Sequence, residues 1–201
     1  MKIKKIILSL SLMMLTLTPV RASCVEQLLL LSKDLPYLIY VERLSETKIT
    51  MNLIPADLQI PLSCAGDTPA ALSSLDFENN TECVRQSIEQ FLAVKFTDTV
   101  YLHMDRISND TGVSMKDIDF RSLKELTAFF AKVAKKADIS MILNYQQYIT
   151  SDLSLSDYYS YYKASRKKLQ ISYGFMNYME VDHHLLPMDN LIHIRKQTQK
   201  N

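Results

Sequence analysis

The chain reads as a single α/β domain placed behind an N-terminal export signal. Three apolar runs of strand length, Leu28–Leu31, Tyr37–Val41 and Ile49–Ile54, fall within the 34 residues from Gln27 to Ile60, and turn-forming polar residues separate them. A helical pattern and another strand-like run come next, and strand, helix, strand in that order points to a layered α/β domain. The first 22 residues have the charge and apolar pattern of a signal peptide.

That leading segment begins with Lys2, Lys4 and Lys5, continues through an apolar run from Ile6 to Thr18, and ends in Val20-Arg21-Ala22. Cleavage after Ala22 is expected, because small or modest residues stand where a signal peptidase reads. An uncleaved anchor is the alternative, although the run is shorter than the roughly 20 residues that span a membrane. The expected location is extracytoplasmic: secreted, periplasmic or held at a membrane. Without Lys2, Lys4, Lys5 and Arg21 the 23 basic residues fall to 19 against 22 acidic ones, a net of −3. That balance argues against a nucleic-acid partner, which calls for a basic face. The remaining 179 residues suit one domain, 23–194, followed by a flexible basic tail, 195–201. No GxxxxGK phosphate loop occurs.

Along the domain, Ser63 to Asn80 is polar and reads as a loop with a short helix from Pro69 to Leu75. Thr81 is the expected N-cap of a helix over Glu82–Leu92, with Val84, Ile88, Phe91 and Leu92 at helical spacing. Lys95 to Met104 is rich in strand formers, and Asp105 to Lys116 reads as a polar loop. Asp117 or Asp119 is expected to cap the next helix, whose stripe is Phe120, Leu123, Leu126, Phe130 and Val133. Two more helices are expected, Ile139–Tyr148 and one from Ser154 or Ser156 to about Lys168. Leu169–Val181 reads as a strand, and Leu185–Ile194 as a short one.

Three cysteines, Cys24, Cys64 and Cys83, allow one disulfide in an oxidising compartment. Cys64 and Cys83 flank the polar loop inside the domain and are the expected pair. A pairing of Cys24, or its lipidation, stays open. Asp182-His183-His184 invites a metal reading, with His193 and His103 as further ligands, but is read as solvated loop, since adjacent residues on an extended segment point to opposite faces and no closed ligand spacing surrounds them. No GxSxG supports a serine hydrolase. Tyr145, Tyr148, Tyr158, Tyr159, Tyr161 and Tyr162, beside Lys163, Arg166, Lys167 and Lys168, suit either a membrane–water boundary or an amphipathic helix burying Tyr158 and Tyr162. Asp34 and Asp57 each follow a strand-like run. If those strands are neighbours, the two carboxylates share a sheet edge where Mg²⁺ and phosphate could sit; otherwise both are loop caps.

The layout resembles the LytR-CpsA-Psr family of cell-envelope proteins. Leu29-Leu30-Leu31-Ser32-Lys33-Asp34 is similar to the family's ILLLGxD strand, and Ile49–Asp57 to the strand ending I-P-R-D-T. Cys83–Val94 resembles the helix before the central strand, and Asp98–Asp105 the strand D-x-Y-V-x-V-D. Asp119–Lys124 resembles the G-D-x-x-R-x-x-R-Q-Q segment, and Ile149–Asp157 the late I-x-T-(D/N)-L-S-L-S-D stretch. The match touches most of residues 27–157 in the right order.

The resemblance implies a three-layer α/β/α domain with a central mixed sheet that binds polyprenyl-linked phosphate. Family enzymes transfer glycopolymers from that lipid carrier to peptidoglycan with Mg²⁺. Carried over by matching position, Asp34 and Asp57 would hold the metal, Asp57 and Arg121 would be catalytic, and Arg85 and Lys124 would meet phosphate. The pattern also departs from the family. Ala56 stands where I-P-R-D has its arginine, the Ser-Asp pair before the second strand is missing from the short Leu35-Pro36 turn, and an R-x-R segment is largely absent. Lys124 replaces an arginine, keeping charge but losing the forked geometry. These departures favour weakened phosphate chemistry, so a catalytically silent binder of a lipid-linked glycan or partner protein is the alternative. An unrelated secreted adaptor or immunity protein is a third reading.

Overall fold

The structure is a computed structural model that describes residues 27–45, 48–115, 118–119, 122–136, 141, 144–151 and 170–195. The expected signal peptide, the helix from Ser154 or Ser156 to Lys168, and the basic tail beyond Arg195 lie outside them.

Seven strands form one mixed sheet around β1, Gln27–Leu31. It pairs antiparallel with β2, Tyr37–Ser45, which pairs antiparallel with β3, Lys48–Pro55. On the other side β1 runs parallel to β6, Asp98–Leu102, which is flanked by the short β7, Ile149–Ser151. Beyond β3 come β8, Gln170–Val181, parallel to it, and the antiparallel β9, His184–Arg195. The last strand is therefore far longer than a short closing strand. A separate hairpin pairs β4, Gln59–Leu62, with β5, Thr68–Ala71.

The apolar runs look continuous because the sheet is covered on both faces. Leu28 and Leu30 of β1 join Ile39, Val41, Met51, Leu53, Val100 and Leu102 in one core. Leu29 and Leu31 face the other way, with Leu38, Tyr40, Ile54 and Tyr101. The period of two along each strand divides one apolar run between two cores. The first core is closed by α2, Met104–Thr111, through Met104 and Ile107, and by α3, Leu123–Lys136, through Phe129 and Val133. The second is closed by α1, Thr81–Leu92, through Val84 and Ile88, and by β4 through Ile60 and Leu62.

Several expectations change. The Pro69–Leu75 helix is instead β5 and a 3₁₀ turn, Leu72–Ser74, since β4 supplies pairing partners that local propensity cannot show. The Asp105–Lys116 loop begins as α2, formed because Met104, Ile107 and Thr111 bury one side of an otherwise polar stretch. Asn80, not Thr81, is the N-cap residue of α1; the Thr81 hydroxyl donates back to the Phe77 carbonyl at 2.7 Å. Ser122 accepts the Glu125 amide at 3.4 Å, in the capping role expected of Asp119, and Asp117, the other expected cap, lies outside the described residues. Tyr145–Gln147 is a 3₁₀ turn, so the expected Ile139–Tyr148 helix does not run through to its end.

The Cys64–Cys83 disulfide is formed, with 5.5 Å between the Cα atoms. It fastens the turn after β4 to the first turn of α1, and the Ser63 amide donates to the Ser87 hydroxyl beside it at 2.9 Å.

Candidate functional site at the carboxyl edge of the sheet

Strand directions put the C-terminal ends of β1, β3, β6 and β8 along one edge. Ligands of open α/β sheets gather outside such an edge. Asp34 follows β1 there and Asp57 follows β3. The two strands are not neighbours, because β2 lies between them. Two strand spacings separate their ends by about 10 Å, although the loops are joined by the Ala56 amide donating to the Pro36 carbonyl at 2.9 Å.

Each carboxylate is engaged with a different partner. Asp34 is half-buried and its Oδ2 accepts the backbone amide of Asp105 at 3.1 Å, so it caps the start of α2 from a distant part of the chain. Asp57 is exposed and its Oδ1 accepts the Ser73 hydroxyl. Among the described residues no group of three or more His, Cys, Asp or Glu side chains is arranged to hold a metal ion. Mg²⁺ wants near-octahedral oxygen ligands at about 2.1 Å, and two carboxylates tied to different partners do not make that site.

The phosphate side is as sparse. Arg85 lies on α1, where its Nε and Nη2 donate to the two oxygens of Glu82 at 2.8 and 2.6 Å. Its Nη1 is 3.5 Å from Glu89. The hydrogen bonds from Arg85 hold the Glu82 carboxyl below its usual range. Two acids thus share the guanidinium that would be asked to meet phosphate. Ala56, at the arginine position of I-P-R-D, is buried at 6% exposure. Lys124 sits in the first turn of α3, but its side chain, like all of Arg121, lies outside the described residues.

Two features of this edge were not apparent from sequence. The first is a cavity of about 340 Å³ lined by Tyr37, Leu53, Pro55, Phe175, Met176, Asn177 and Tyr178. It lies where β8 parts from β3 after the Leu53–Phe175 register. Nothing local signals it, since the lining comes from three strands. The second is a polar group around Tyr101 and His103 at the end of β6. The rings meet edge to face at 4.9 Å, and His103 Nε2 is 3.1 Å from Thr150 Oγ1 and 4.0 Å from Glu78 Oε1. Burial first, then the charges of Glu78, Asp34 and Asp76, push the Tyr101 phenol up in pKa, so it stays neutral. In the sequence Tyr101 stands out only as one strand former of the Lys95–Met104 run.

Neither a family model nor a curated protein matches the sequence. Solved structures do match, over most of the chain. TagT bound to LIIa-WTA aligns at a TM-score of 0.59 with 11% identity, covering 84% of this chain and 87% of that one. TagU of B. subtilis aligns at 0.56 with 11% identity, covering 82% and 90%. A transcriptional regulator from Enterococcus faecalis aligns at 0.55 with 14% identity, covering 81% of each. TagT and TagU are LytR-CpsA-Psr proteins. Identities this low speak to the backbone alone, and on that ground the chain has the LytR-CpsA-Psr fold.

Proposed function

We propose that this chain is an extracytoplasmic envelope protein, a three-layer α/β/α domain that binds a polyprenyl-linked glycopolymer without transferring it. The observation that carries the reading is the pocket at the carboxyl edge, whose lining residue Pro55 directly precedes Ala56 and Asp57 in the chain. Leu53, Pro55, Phe175 and Met176 give its wall an apolar part suited to a hydrocarbon chain, and Asn177, Tyr37 and Tyr178 bring polar groups to the rest. At about 340 Å³ it falls at the small end of ligand pockets, room for the first units of a long lipid. TagT has been solved bound to lipid-linked wall teichoic acid intermediates, LI-WTA and LIIa-WTA, and that fold likeness supports the substrate class.

Transfer would need cations placed where negative charge develops on phosphate. At this edge the arginine of the I-P-R-D motif is a buried alanine and Arg85 is already paired with Glu82 and Glu89. Asp57 keeps a position from which it could act on phosphate, and Arg121 and Lys124 are the remaining basic candidates. The binding reading is tested with a fluorescent polyprenyl pyrophosphate. The native protein should bind it saturably, and Phe175→Ala, still folded by circular dichroism though less stable, should bind it far more weakly. Turnover of a lipid-linked glycopolymer onto peptidoglycan, lost in Asp57→Ala, would replace the binder by an enzyme. No binding by the native chain would remove both.

A further inference from the structure

Beyond its last pair with β3, Leu53 with Phe175, strand β8 runs on to Val181 and returns as β9. A turn at Asp182 and His183, both at positive φ, closes this two-stranded arm. Successive side chains of a strand point to opposite faces, and residues paired across a ladder share one. Met176 and Tyr178 turn to the core under α1 and β4, where Leu185 of β9 joins them. Phe175 turns to the other core. Asn177, Met179 and Val181 therefore follow Phe175 on its face, and Leu186 and His184 share it as the partners of Met179 and Val181. Met179 is 46% exposed and Val181 42%, beside a half-buried Leu186. Single exposed apolar residues are ordinary, but these three adjoin one another. Their face begins at the pocket, because Phe175 and Asn177 line it. It ends at His184, whose Nδ1 is 2.6 Å from Gln59 Nε2.

We propose that this face of the arm carries the hydrocarbon of the bound lipid beyond the part that the pocket holds. The proposal rests on the lipid reading of the pocket and adds the stretch of ligand for which the pocket has no room. At about 340 Å³ the pocket is small for a long polyprenyl chain. The face offers a path of about 20 Å from Met176 to Val181, at roughly 3.4 Å per residue. Glu180, the carboxylate of that span, stands on the opposite face with its partner Leu185. Met179 is unbranched and polarisable, and adapts to a chain that has no fixed conformation. Width decides against a protein partner. Two strands about 5 Å apart make the face roughly 200 Å² in all, whereas a stable protein interface takes about 800 Å² from each side. A single hydrocarbon chain fits such a strip, with Asn177 at its entry and His184 at its end.

The test is a chain-length series: geranyl, farnesyl and geranylgeranyl phosphate, each below its micelle concentration, titrated into the full chain by calorimetry. Native affinity should rise about tenfold or more from geranyl to geranylgeranyl, as partial burial of the added hydrocarbon requires. Met179→Thr with Val181→Thr should flatten the series while geranyl affinity and melting temperature hold, since both side chains are exposed and threonine keeps the strand. Leu44→Thr, equally exposed at the far end of β2, should leave the rise intact. A flat series in the native chain, with geranyl phosphate still bound, would overturn the arm proposal and leave the pocket reading standing. No binding of any member would remove both. A rise that survives the double substitution would also overturn it. So would lipid-free chain that self-associates in sedimentation only while Met179 and Val181 are present, which would give the face to a second copy.

Discussion

Replacing the disulfide by Ser at Cys64 and Ala at Cys83 should destabilise the domain by about 3 kcal/mol. The bridge closes a segment of sequence separation 19. Loop-closure entropy for a ring of that size, about −11 cal/mol/K, corresponds to roughly 3.3 kcal/mol at 25 °C. The folded state should lose little beyond this, because the Ser63 amide still reaches the Ser87 hydroxyl and Ser87 still donates to the Cys83 carbonyl at 2.7 Å. In a domain of this size 3 kcal/mol corresponds to a fall of about 6–12 °C in melting temperature. Urea unfolding at 25 °C, followed by circular dichroism, measures it directly, and the double variant should match the reduced native protein. Cys64 is exposed, so a mild reductant reaches the bond. A loss below about 1 kcal/mol would refute the chain-entropy reasoning. A Cys24 bridge, found by mass spectrometry of the oxidised native protein, would refute the pairing itself.

Two further substitutions test the packing and the backbone. Ala93 ends α1 with φ of 54°, a left-handed conformation that costs a residue with a Cβ, so Ala93→Gly should stabilise by about 0.5–1 kcal/mol in the same urea assay. Leu29 is wholly buried in β1, and Leu29→Ala should cost about 3–5 kcal/mol, the transfer and cavity terms together; a loss under 1 kcal/mol would mean that β1 is not central.

The first three strands were legible because their pattern is local. Leu28–Leu31, Tyr37–Val41 and Ile49–Ile54 are apolar at nearly every buried position, Thr50 and Asn52 being the buried polar exceptions, and the separating turns are polar. The helix of α1 was legible from Val84 and Ile88 for the same reason. The β4–β5 hairpin was not, since Thr68-Pro69-Ala70-Ala71 has little strand preference and becomes a strand only through pairing with Gln59–Leu62. Met104–Thr111 was hidden by its Asp, Ser and Asn content, which favours turns until Met104 and Ile107 are given a core to enter.

The same division holds at the site. The sequence by itself placed Asp34 and Asp57 at strand ends and paired Cys64 with Cys83, both readings of order and spacing, while Ala56 in an arginine's position is what the family resemblance implies. Only the tertiary structure put β2 between β1 and β3, assigned Asp34 to the start of α2, tied Arg85 to Glu82 and Glu89, and set His103 edge to face against Tyr101. The physical reason is range: hydrophobic period is written within a strand, while a carboxylate's partner is chosen by whichever segment the sheet brings beside it.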